Sequence, residues 1–88
     1  MDRQTEKVRV VGSLNKAAYL VANGLAVIDV RVQGQYVEFI FDDGAGRASA
    51  LVEMWDGGRA LVPAGAFVDA QHTLRTLVVR YKPRPVPA

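Results

Sequence analysis

Eighty-eight residues, half of them hydrophobic and 23% charged, suit one folded domain and leave no room for two independent cores. The chain has no cysteine, which excludes disulfides, thiolate catalysis and cysteine-ligated zinc or iron–sulfur centres. Its net charge of +2 is unevenly spread: residues 1–42 balance, residues 43–72 carry −2, and residues 73–88 carry +4 from Arg75, Arg80, Lys82 and Arg84 with no acid.

The opening residues, Met1 to Lys7, are polar with no apolar stretch behind them, so no signal peptide is expected. Apolar runs fall far short of the ~18 residues of a membrane span, and the expected location is cytoplasmic. From Glu6 to Val11 the alternation predicts a first strand, with Val8 and Val10 on one face and Val10 in the core. Ser13 then offers an N-cap for a helix to about Ala22, whose apolar stripe is Leu14, Ala17, Ala18 and Val21. Asn23-Gly24 ends it, with Gly24 in the left-handed position and Leu25 folding back on Leu20.

A β-hairpin over residues 26–42 is the clearest signal. Ala26, Ile28, Val30 and Val32 alternate with Val27, Asp29, Arg31 and Gln33, and Val37, Phe39 and Phe41 alternate with Tyr36, Glu38, Ile40 and Asp42. Two registers keep the apolar faces together. A two-residue turn at Gln33-Gly34 sets Asp29 against Glu38, a like-charge pair; a four-residue loop over Gln33 to Tyr36 sets Arg31 against Glu38. Electrostatics favours the second.

Asp42-Asp43-Gly44 breaks the strand, and either aspartate can cap a helix bearing Ala48, Leu51, Val52 and Trp55, which stops at Gly57-Gly58. An extended piece from Arg59 to Val62 leads to Pro63, suited to a first helical turn, and a long helix with the stripe Phe67, Ala70, Leu74, Leu77, Val78 and Tyr81. The prolines after Lys82 stop it, leaving residues 1–82 as the compact domain and residues 83–88 as a disordered Pro/Arg-rich tail. The expected fold is α+β in the order β-α-β-β-α-α. A three-stranded, mostly antiparallel sheet would pack one face against helices, with the last helix as its main partner. The expected core is Val10, Leu14, Val21, Ile28, Val30, Phe39, Phe41, Leu51, Trp55, Leu74, Leu77 and Val78.

Candidate chemistry is sparse. His72 is the only histidine, and its helical neighbours Arg75, Thr76 and Val79 supply no partner for acid–base work. Asp42 and Asp43 lack the spacing and closing glutamate of a calcium loop, and turn or cap duty accounts for both. Gly44-Ala45-Gly46 and Gly57-Gly58-Arg59 match no phosphate-binding loop. No catalytic residue, metal ligand or cofactor is therefore expected. Two surfaces remain. The outward hairpin face, with Val27, Arg31, Tyr36, Glu38 and Ile40, is the candidate protein interface. Arg75, Arg80, Lys82 and Arg84 are the candidate nucleic-acid contacts.

The run Ser13-Leu14-Asn15-Lys16-Ala17-Ala18-Tyr19-Leu20-Val21-Ala22-Asn23-Gly24, followed by Val37-Glu38-Phe39-Ile40-Phe41-Asp42, resembles a small family of unknown function found in bacterial genomes and bacteriophages. The resemblance covers about residues 8–80 and brings no catalytic residues with it. It implies a phage or mobile-element accessory protein, acting in the cytoplasm of a bacterial host. The expected function is non-enzymatic binding, as an inhibitor or adaptor, to a host protein or to a second copy of the chain. Nucleic-acid binding through the basic C-terminus is the alternative, and a small ligand held between subunits is a third reading.

Overall fold

The computed structural model describes residues 7–81, apart from the Tyr81 side chain. The elements follow the expected order: β1 (Val8–Val11), α1 (Leu14–Ala22), β2 (Val27–Gln33), β3 (Tyr36–Asp42), α2 (Arg47–Asp56) and α3 (Ala64–Tyr81). The strands form an antiparallel sheet in the order β1-β3-β2, so the Phe-rich return strand of the hairpin lies at the centre. Glu6, Lys82 and residues 83–88 lie outside the described residues.

Arg31 pairs with Glu38, as the charge pattern requires. The connection is tighter than the expected four-residue loop, because the ladder continues to Gln33 opposite Tyr36 and only Gly34 and Gln35 turn. Gly34 has φ 61, while among the described residues no non-glycine residue has positive φ. A glycine first is the pattern of a type II′ turn, whose twist matches that of the flanking strands.

The other end of the hairpin departs from the simple alternation. Val27 pairs with Phe41 and Asp29 with Ile40, leaving Ile28 as an unpaired bulge residue. One inserted residue reverses the facing of everything before it. Val27 therefore turns inward and packs on the core, whereas Ile28 is 52% exposed. The Asp29 carboxylate accepts the Val30 backbone N–H at 2.8 Å and occupies a donor of this edge strand.

A related correction applies to β1. Val11 lies opposite Phe39 and Arg9 opposite Phe41, and directly opposed residues share a face. Val11 is therefore the core residue of the strand, and Val10, 41% exposed, faces outward opposite Ile40. Arg9 is on the inner side at the sheet edge, where its guanidinium reaches the Ser49 hydroxyl of α2 at 3.5 Å.

All three helices contribute to one buried cluster with the inner face of the sheet: Tyr19 and Leu20 from α1, Val52 from α2, and Leu74 from α3 meet Phe39 and Phe41. The largest helix–sheet contact is that of α3 with β2, in line with the expected partner, and α1 lies at the centre of the helical layer. Four consecutive α1 residues, Ala17 to Leu20, are buried, because α2 and α3 both pack against it. The long α3 packs chiefly on α1 and makes a smaller contact with β2. Tyr19 and Trp55 rings lie 5.5 Å apart and Trp55 and Phe67 rings 6.3 Å apart, an aromatic seam joining the three helices. Lys16 pairs with Asp56 at 2.9 Å, and Gln71 donates to Asn15 at 2.8 Å, fastening α1 to α2 and to α3.

The helix ends follow local chemistry. The Ser13 hydroxyl caps α1 by accepting the Lys16 N–H. At the other end Gly24 has φ 95, its N–H bonds the Val21 carbonyl, and the Leu25 N–H bonds that of Leu20, which completes the Schellman ending. Pro63 stands immediately before α3, and its carbonyl accepts the Phe67 N–H. No helix among the described residues is long and apolar enough to cross a membrane.

Candidate functional site

With the helices on one side, the opposite face of the sheet is left uncovered by any described element. Its residues come from all three strands: Val8 and Val10 from β1, Glu38 and Ile40 from β3, and Ile28, Asp29 and Arg31 from β2. Ile40 sits mid-sheet and is 6% exposed, outside the main core cluster. Val8, Val10 and Ile28 are 44%, 41% and 52% exposed, an apolar patch on the outer face of a small domain. Beside the patch the Arg31 guanidinium and Glu38 carboxylate pair at 3.4 Å, both substantially solvated. Asp29 and Asp42 carry the remaining charge, and each carboxylate accepts a local backbone N–H, from Val30 and Gly44 respectively.

Of the five residues expected to form a protein interface, Arg31, Glu38 and Ile40 share this face, and Tyr36 lies at its hairpin end, 77% exposed. Val27 does not belong, because the bulge turns it inward opposite Phe41. Val8, Val10 and Ile28 take its place. Sequence patterning had put Val10 and Ile28 in the core, since a valine or isoleucine in an alternating run has no mark that says which face it takes.

A groove of about 580 Å³ opens where the hairpin tip, the start of α1 and the C-terminal half of α3 splay apart. Leu14, Val37, Phe39 and Val78 line it with apolar surface, Tyr36 and Gln35 stand at the hairpin side, and Arg75 lines the helix side. Among the described residues no acidic side chain lines it. Leu14, Phe39 and Val78 read in sequence as ordinary core, and nothing in a linear pattern shows that three distant segments leave a gap.

The basic residues do not form one patch. Arg75 lines the groove, whereas Arg80 borders a separate shallow recess with His72, Thr73, Thr76 and Leu77. Lys82 and Arg84 lie outside the described residues. His72 is exposed on α3, with the Thr73 hydroxyl directed to the Asp69 carbonyl rather than to the imidazole.

Among the described residues Asp43 is the buried acid, 5% exposed. Gly46 occupies the N-cap of α2 and has no side chain to cap with, so the Asp43 carboxylate supplies the acceptor from three residues earlier. It takes both the backbone N–H and the hydroxyl of Ser49. Those bonds, led by the hydroxyl, hold its carboxyl below the ordinary value of 3.8 against the opposing effect of burial. Its duty is structural. Among the described residues no three potential metal-ligating side chains cluster.

No protein-family model, no curated protein and no solved structure matches the chain.

Proposed function

We propose that the protein is a small, non-enzymatic binding module that acts through protein–protein contact on the outer face of its sheet. The observation that carries this reading is the uncovered patch of Val8, Val10 and Ile28 around Ile40, drawn from all three strands. Leaving such residues in water forgoes the ~25 cal/mol per Å² that burial returns, and a partner surface recovers it.

The partner is a second copy of the chain. An apolar cluster can bury itself against its own copy across a two-fold axis, with Arg31 of each copy able to reach Glu38 of the other. Asp29 and Asp42 accept the Val30 and Gly44 N–H and keep their negative charge, so added salt should favour the association by screening them. The resemblance of residues 13–24 and 37–42 to a bacterial and bacteriophage family supports an accessory role, inhibitor or adaptor, in a host cytoplasm. Nucleic-acid contact is the weaker alternative, because Arg75 and Arg80 border separate surfaces.

Sedimentation velocity tests the proposal. The wild-type chain should dimerise with rising concentration. The double variant Val10→Lys, Ile28→Lys should remain monomeric with unchanged circular dichroism, since both positions are exposed. A wild type that stays strictly monomeric up to about 0.5 mM, beyond the range of most specific dimers, contradicts it.

A further inference from the structure

We propose that the groove between the hairpin tip and α3 binds small amphiphiles that carry a single carboxylate, of the medium-chain fatty-acid type. This goes beyond the protein-contact reading and uses a different surface. A volume of about 580 Å³ lies within the range of small-molecule sites. Its composition also fits such sites, in which apolar walls hold the ligand body and a few polar groups orient it.

The walls come from three elements. Leu14, Val37 and Val78 are partly buried and present apolar surface to the opening, with Phe39 behind them. Among the described residues Arg75 is the charged residue of the lining, and no Asp or Glu stands against it. It also has no ion-pair partner among the described residues. A guanidinium presents paired N–H donors in the geometry a carboxylate accepts, and it does so better than a lysine. A cationic head group would meet only repulsion there. A neutral one would leave the guanidinium without a charged partner.

Titration calorimetry on the full chain tests this with decanoate, decanol and decyltrimethylammonium as probes. Decanoate should bind most tightly, and Arg75→Gln should weaken it about tenfold, the scale of one charge-assisted contact, while leaving decanol unchanged. Arg75 is exposed, so the substitution does not disturb the core. Val79→Asp, at a position 63% exposed on the groove wall, should weaken decanoate more than decanol, because it adds repulsion of the carboxylate to the loss of apolar surface felt by both. In ¹⁵N spectra decanoate should shift Leu14, Val37 and Val78, and it should do so equally in the Val10→Lys, Ile28→Lys variant. Equal affinity for decanoate and decanol, an Arg75→Gln variant that binds decanoate like wild type, shifts confined to the outer sheet face, or no binding of decanoate each overturn the proposal.

Discussion

Arg31 and Glu38 stand directly opposite one another across the hairpin, guanidinium and carboxylate 3.4 Å apart on the uncovered face of the sheet. The pair locks the register from the charged side while Val30 opposite Phe39 and Val32 opposite Val37 lock it from the apolar side. Both groups are well solvated, so a double-mutant cycle to alanine should give a coupling of about 0.2–1 kcal/mol, falling with added salt. Arg31→Glu should cost more than Arg31→Ala, because it sets like charges face to face. Urea unfolding at low and high salt reads both effects.

Asp43 replaces the capping side chain that Gly46 lacks. Asp43→Ala should therefore destabilise the protein by about 1–2 kcal/mol at neutral pH, with Ser49→Ala showing a smaller loss. The pH dependence follows from the direction of the shift. The folded-state carboxyl titrates below its ordinary value of 3.8. Its contribution is thus complete above that value and is lost as pH falls through the folded pKa. The stability gap between wild type and Asp43→Asn should narrow on going from about pH 7 to about pH 3. A gap that stays constant or widens would contradict the capping role.

The bulge at Ile28 and the central place of α1 make opposite predictions for two similar aliphatic residues. Leu20, fully buried in α1, should lose about 2–5 kcal/mol on substitution by alanine. Ile28, half exposed on the outer face, should lose less than about 1 kcal/mol. Chemical denaturation of Leu20→Ala and Ile28→Ala distinguishes this arrangement from one in which Ile28 is core.

These two residues also show where sequence patterning stops. The element order and both glycine stops were legible because each rests on local chemistry: Ser13 capping, Gly24 and Gly58 at positive φ, and period-2 alternation. The hairpin register was legible because Arg31 and Glu38 carry opposite charge. The bulge was not, since Val27 and Ile28 are both β-branched and apolar, and either can serve as the inward residue. Val10 and Val11 pose the same ambiguity, decided by the pairing of Val11 with Phe39. Tyr19 was missed because a helix packed on several sides has no solvent stripe to calibrate against. On the outward hairpin face, Arg31, Glu38 and Ile40 lie where the alternation places them, Tyr36 stands at the hairpin end, and Val27 turns inward. The groove could not be foreseen, because its walls meet only in the folded chain.

The most direct measurement is a dilution series of ¹H–¹⁵N spectra from about 10 μM to about 1 mM, spanning moderate to weak association. Self-association through the outer face should shift Val8, Val10, Ile28, Arg31, Glu38 and Ile40 with concentration, and the shifts should vanish in the Val10→Lys, Ile28→Lys variant. Spectra invariant across the series, or shifts confined to α3 and the groove, would contradict it.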